Sequence, residues 1–222
     1  MDLVSYINRF GSLPVDGLDA PRCGCLDVSP PAAAGTLEAR WGKRRLTYQV
    51  ESVPPAPDRA TWDAAIAGAF AAWAAVLDLE FVRVDGPADI RIFAAPIDGP
   101  FNVLAQAQLP SGDNHTRGLW VQLDSRDRWG QGGVDPLAVL CHELGHTFGL
   151  THSQKRGALM YPTYNRDVQR PQEDDDVTRA VALGYGRARP QTPPPAGALN
   201  LSIDPTTRTI LVPPGWTART TS

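Results

Sequence analysis

Three of the chain's four histidines stand within eleven residues, in the run HELGHTFGLTH from His142 to His152. His142 and His146 are one helical turn apart, so both rings leave the same helix face and can take adjacent corners of a tetrahedron around one zinc ion. Gly149, lacking a Cβ, can adopt the positive φ that ends a helix and turns the chain back, which would bring His152 to the same ion. Three neutral imidazoles leave one corner open, the arrangement of a catalytic rather than a structural zinc. Glu143, beside the first ligand, can then take a proton from an attacking water and return it to a leaving amine. The pattern predicts metal-assisted hydrolysis, with His142, His146 and His152 as ligands and Glu143 as general base. Chance collection of histidines on a buried helix is the competing reading, and five fixed positions together disfavour it. The remaining histidine, His115 in SGDNHTRG, reads as a solvated loop residue.

These side chains need a helix and something for it to pack on. Asp135 followed by Pro136 gives an N-cap and a proline at the first helical position, and the apolar run after them predicts a helix to about Gly149. Between Asp58 and Leu77, the residues Trp62, Ile66, Ala69, Phe70, Trp73 and Leu77 recur at steps of three and four, the signature of a helix with one buried face. Segments 44–50, 80–84, 89–93, 103–109 and 119–123 are short, rich in β-branched or aromatic residues and bounded by Gly, Pro or Asp, and read as strands. The acidic cluster Glu173 to Asp176 precedes VTRAVAL and suits the positive end of a short third helix. This order predicts an α/β fold, a twisted sheet of about five strands packed with three helices.

With 42% of its 222 residues hydrophobic and 20% charged, the chain has the composition of a globular domain rather than a disordered or fibrous one. A formal net charge of −3 with both signs interspersed offers no footprint for a phosphate backbone, so nucleic acid is not an expected partner. No apolar run approaches the roughly 20 residues of a bilayer span, and a soluble protein without a membrane partner is expected. The opening MDLVSYINRFGSLPVDG lacks the basic start and the roughly 7–15 apolar residues of a secretory signal. Three cysteines, Cys23, Cys25 and Cys141, cannot all pair within one chain, so no disulfide framework is expected. Proline-rich stretches at 29–35 and 189–197 suggest a leading segment (1–35), a central domain (36–187) and a tail (188–222). In that tail LNLSID and RTILVPPGW alternate like the strands of a hairpin.

The full pattern H-E-x-x-H-x-x-G-x-x-H with a downstream methionine is the metzincin signature. Ser153 after the third histidine, ALMYPTY (158–164), RWGKRRLTYQV, ADIRIF, VLAQAQLP and DDVTRAVALGYG together resemble the matrixins, the matrix metalloproteinase family of metzincin zinc peptidases. The resemblance implies a matrixin-like catalytic domain whose antiparallel edge strand is Val103 to Ala107. Leu104 and Ala105 would lie along a substrate that adds to this edge as an extended strand through main-chain hydrogen bonds. Met160 would pack beneath the three rings, and Pro162 and Tyr164 would wall the specificity pocket. Ala138, four residues before His142, is small and implies a deep pocket for a bulky apolar side chain. A protein or peptide substrate, a monomer and action outside the cell are further implications.

PRCGCLDV (21–28) resembles the matrixin cysteine switch in a shortened prosegment. By that resemblance Cys23 would fill the fourth zinc position in a latent zymogen, supported by an Arg22–Asp27 pair, with activation by cleavage between about Val28 and Glu38. Cys25 departs from the family pattern; alternate residues of an extended chain share a face, so it could compete with Cys23 for the ion. Cys141 reads as a small apolar residue. Gln106 and Gln122 stand where the family's structural zinc has histidines, and glutamine is a poor zinc ligand, so one zinc is expected. Asp98, Gly99, Asp124 and Asp127 match the oxygen ligands of a family calcium site; solvated surface carboxylates are the alternative. The expected function is a zinc-dependent metalloendopeptidase made as a latent zymogen. Its rival is a catalytically silent zinc-containing binding protein, to which Glu143 would be superfluous.

Overall fold

A computed structural model describes residues 21–25, 39–111, 116 and 118–189, with the backbone of 202–203 and 210–211. The Asp27 partner of Arg22, the activation segment and His115 lie outside the described residues. Strands β2 (Arg45–Val50), β3 (Glu80–Arg83), β4 (Ile90–Ala95), β5 (Val103–Ala107) and β6 (Leu119–Asp124) fall where alternation places them. In β6, Leu119, Val121 and Leu123 are buried while Trp120 and Gln122 are half-exposed, the period-two burial of a sheet with one core face.

The sheet has six strands rather than about five; with Arg22–Cys23 as β1, their order is β1-β5-β6-β4-β2-β3. The additional strand, β1 (Arg22–Cys23), comes from the leading segment and pairs parallel with β5. Two residues without hydrophobic alternation carry no strand signal; they pair with the open edge of β5 on one side and bond to the Pro162 carbonyl on the other. Strand β5 runs antiparallel to β6, and the remaining pairs are parallel.

Helix α1 (Arg59–Ala74) starts at Asp58, whose carboxylate accepts from the Thr61 amide at 3.0 Å. It buries Trp62, Ile66, Ala69, Phe70 and Trp73. From that face the Trp73 indole donates to the Cys141 carbonyl at 2.9 Å. The Trp41 indole donates to the Thr147 carbonyl at 2.8 Å. Two tryptophans therefore brace helix α2 (Pro136–Thr147) near both ends of its histidine-bearing turn. Helix α2 is capped by Asp135, which accepts from the amides of Leu137 at 2.8 Å and Ala138 at 3.3 Å.

The third helix differs from its expected form. Residues Glu173–Val177 make a π-turn that runs into a short α3 (Thr178–Ala182). The acidic cluster does not simply face the helix end, because Asp176 is fully buried and turns inward. The chain divides into two units at Arg189 and Pro190. In the second, β7 (Ser202–Ile203) pairs antiparallel with β8 (Ile210–Leu211).

Candidate active site

Helix α2 presents His142, Glu143 and His146, and the turn after it returns His152. Gly149 has φ 97°, its amide donates to the His146 carbonyl at 2.9 Å, and the Leu150 amide donates to the Gly145 carbonyl at 3.0 Å. These two bonds make a Schellman ending. A Cβ on Gly149 would lie 1.9 Å from the Ala39 carbonyl oxygen, so the bend admits only glycine. The three imidazole centroids are 4.9, 5.3 and 4.8 Å apart.

Ring orientation is set from behind. The Nδ1 atoms of His142 and His146 each lie 2.7 Å from a backbone carbonyl, of Leu159 and Leu150 respectively. A carbonyl only accepts, so each Nδ1 carries the proton and each Nε2 presents a lone pair. Those two lone pairs face each other at 3.2 Å. Burial holds His146 well below the ordinary imidazole range, and the neighbouring rings of His142 and His152 add to this. A proton is therefore not what holds the two nitrogens together. Nitrogens bonded to one tetrahedral zinc at about 2.0–2.1 Å stand about 3.3 Å apart, so the donor set fits that ion. Cys23 stands beside these rings: its Sγ lies 3.3 Å from His146 Nε2, and one ligand atom from each of Cys23, His142, His146 and His152 lies within 4.8 Å of all the others.

Glu143 is 1% exposed. Burial pushes its carboxyl up to about 8, against the pull of hydrogen bonds from Cys23 and Cys25. Met160 is buried against Gly145, where a Cβ would approach its sulfur to 2.3 Å, so this glycine lets the methionine seat under the helix. The Met160 turn hangs on Asp176, whose carboxylate accepts from the amides of Leu159 at 2.8 Å, Met160 at 3.0 Å and Gln172 at 2.8 Å. Nothing in the sequence singles out Asp176 among four consecutive acids, and only packing decides which one faces inward.

Residues 21–25 of the leading segment lie between β5 and residues 162–164. Arg22 N–H donates to Asn102 O at 2.9 Å, Cys23 N–H to Pro162 O at 3.1 Å, and Gly24 N–H to Ala105 O at 2.8 Å. The Tyr164 amide donates to Pro21 O at 2.8 Å. Beside Cys23 opens a pocket whose lining includes Leu104, Ala138, His142, Glu143, Pro162 and Tyr164. Ala105, expected along the substrate, is buried and does not line that cavity; it meets Cys23 in strand register. The Tyr164 hydroxyl accepts from the Asp135 amide at 2.8 Å, tying the pocket wall to the cap of α2. Cys141 is buried, its thiol donating to the Gln169 carbonyl at 3.1 Å, and burial pushes it up to about 12.

The four candidate calcium residues are brought together only in part: backbone amides of Asp98 and Gly99 bond to Asp124, but the carboxylates of Asp98, Asp124 and Asp127 do not converge on one point as the imidazoles do. Asp124, fully buried, accepts from the amides of Asp98 and Gly99, both at 3.2 Å, and of Arg126 at 2.8 Å. Asp127 Oδ1 accepts from the Phe101 amide at 2.6 Å, while its buried Oδ2 has no hydrogen-bond partner. Burial pushes the Asp127 carboxyl up to about 7. Asp124 and Asp127 are buried, whereas Asp98 is exposed. Gln106 and Gln122 face each other across β5 and β6, joined by an amide hydrogen bond of 3.1 Å.

A helix-borne pair of imidazoles, a third returned by a glycine bend and a methionine turn beneath them stand beside a mixed sheet. A family model described as Matrixin matches residues 40–186, more than half the chain. The chain belongs to the matrixin family, whose catalytic metal is zinc. It is 38% identical over 197 residues to the interstitial collagenase of Oryctolagus cuniculus, covering 78% of this chain and 40% of that protein. Stromelysin-1 of Mus musculus is 34% identical over 195 residues, with 80% and 39% covered. Matrix metalloproteinase-18 of Xenopus laevis is 33% identical over 207 residues, with 86% and 43% covered. The chain thus spans about 40% of the length of the relatives it matches.

Proposed function

We infer that this protein is a zinc-dependent endopeptidase that cleaves protein substrates and is held latent by its own leading segment, with Cys23 as the fourth ligand of the zinc centre. The observation that carries this reading is the convergence of three imidazoles and one thiol on a common point, with the Glu143 carboxyl directly alongside. When bound, zinc supplies a Lewis acid that polarises the scissile carbonyl. His142, His146 and His152 hold it, and the Leu159 and Leu150 carbonyls fix the tautomers of the first two. Glu143 takes the proton of the attacking water and delivers it to the departing amine. Strand β5 offers an extended peptide its main-chain edge once the leading segment has left. The Ala138 cavity accepts a bulky apolar side chain. Extracellular action follows the collagenase and stromelysin relatives; no helix among the described residues is long and apolar enough to cross a membrane.

The test uses the full-length chain with a quenched peptide library. Cys23→Ala is expected to raise cleavage by about 100-fold, the gain when a state populated at roughly 1% becomes the whole population. A chelator should abolish that activity. Zinc-loaded Cys23→Ala protein that binds peptides without cutting them would favour the silent binding protein instead.

Two metal predictions accompany this reading. Metal analysis of the full-length protein is expected to return about one zinc per chain, since the Gln106–Gln122 pair offers no second four-ligand site. Calcium is the ion that the Asp98, Asp124 and Asp127 oxygens suit. The raised Asp127 pKa gives this a pH signature. In metal-free protein the group contributes stability that is complete below its unfolded value of about 3.9 and is lost as pH rises through about 7. Calcium binds the ionised form, so it is expected to raise Tm more at about pH 8 than at about pH 5, and Asp127→Asn to remove the difference. Scanning fluorimetry at the two pH values reads it.

A further inference from the structure

The second cysteine of the leading segment is used by nothing in the mechanism above. Cys25 Sγ stands 3.7 Å from Glu143 Oε2 and 3.0 Å from both the amide and the carbonyl of Ala107. Its backbone amide donates to Cys23 Sγ at 3.2 Å. One ligand atom from each of Cys23, Cys25, Glu143 and His146 lies within 4.8 Å of all the others, so the two sulfurs are that close. Both residues are half-buried, and both sulfurs face the site because residues two apart on an extended strand share a face.

We propose that Cys23 and Cys25 form a reversible oxidation site whose intramolecular disulfide withdraws Cys23 from the zinc centre and opens the protease without cutting the chain. The inference rests on the reading of Cys23 as the lock. Its co-reactant is a low-molecular-weight disulfide such as oxidised glutathione. The Cys25 sulfur attacks it, expelling one glutathione thiolate and releasing its own proton to solvent. The Cys23 sulfur then attacks the Cys25 sulfur of that mixed disulfide and expels the second glutathione thiolate. Two cysteine thiols are oxidised, one glutathione disulfide is reduced to two thiols, and no other electrons move.

Geometry couples the bond to release. Two residues of extended chain separate Cα atoms by up to about 7 Å, whereas a disulfide prefers about 5.5–6 Å. Closing the ring therefore requires a bend at Gly24. Gly24 is seated flat on β5: a Cβ there would lie 2.4 Å from Val103 Cγ1, and its amide is bonded to Ala105 O. A bend at this residue breaks that bond and its neighbour from Cys23 to Pro162, the contacts that hold the segment in the cleft. Cys141 is buried in the helix and stays outside the exchange.

The experiment treats full-length, zinc-loaded protein with oxidised glutathione and reads free thiols, intact mass without reductant, and cleavage of a quenched peptide. Wild type is expected to lose two thiols and two hydrogens while retaining no glutathione. Its activity should rise toward that of Cys23→Ala and fall again with excess reduced glutathione. Cys25→Ser is expected to form no internal disulfide and to stay latent or to retain glutathione. A stable glutathione adduct on wild type, no thiol loss, or equal activation of Cys25→Ser overturns the proposal. An internal disulfide without activity also overturns it. In that case an active Cys23→Ala variant shows that only the oxidation inference has failed, and a silent one shows that the lock itself was misread.

Discussion

Replacing Glu143 with alanine in a chain already freed by Cys23→Ala is expected to lower kcat/KM by about 10²–10⁴, the range of a positioned general base. The side chain is one residue from His142 on a helix braced by Trp41 and Trp73, so the substitution leaves the imidazoles in place. Zinc content should therefore remain at the parent level while turnover collapses. Glu143→Gln is the sharper version, since it keeps volume and hydrogen bonding and removes only the proton-accepting charge. Steady-state kinetics with parallel metal analysis decide the matter. Retained turnover in either variant would move the base to another group, and lost zinc in both would make Glu143 a structural residue.

Asp176→Ala is expected to destabilise the domain by about 3–5 kcal/mol, a large share of the roughly 5–15 kcal/mol that holds a domain folded. Its carboxylate is the acceptor for three backbone amides, of Leu159, Met160 and Gln172. Alanine would leave all three in a buried site with no replacement. Burial raises the Asp176 pKa despite these donors, so the site already carries the cost of an enclosed carboxyl. The consequence reaches the metal centre through one chain of contacts. The Leu159 amide is held by Asp176, and the Leu159 carbonyl orients His142. Urea unfolding should show the loss, and zinc affinity should fall with it. Asp176→Asn, which retains one acceptor oxygen, should lie between the alanine variant and wild type. A change below about 1 kcal/mol for alanine would mean that the Met160 turn is held by packing alone.

Much of this architecture was legible before any coordinates. The three-and-four spacing of Trp62, Ile66, Phe70 and Trp73 forces a helix with one buried face, because no other regular backbone puts those positions together. The step from His142 to His146 and the glycine at 149 determined a metal-binding turn in the same way, since helix pitch and the positive-φ bend are local properties of the chain. What lay beyond reach was non-local. The sixth strand is Arg22–Cys23, whose own residues carry no strand pattern and which pairs with β5 about eighty positions away and bonds to Pro162 beyond it.

The same division runs through the site. Residue types and spacing along the chain determined which imidazoles and which carboxylate could share a centre, because ligand chemistry and helix geometry reach only a few residues. Tertiary structure decided the rest: that Asp176 rather than its three acidic neighbours anchors the Met160 turn, and that Asp127 is enclosed rather than solvated. It also decided that the Cys25 sulfur rests between Glu143 and Ala107. Each of these depends on which surface happens to lie opposite, and burial of a charge or contact with a distant backbone amide is a property of the pair, which no single stretch of sequence contains.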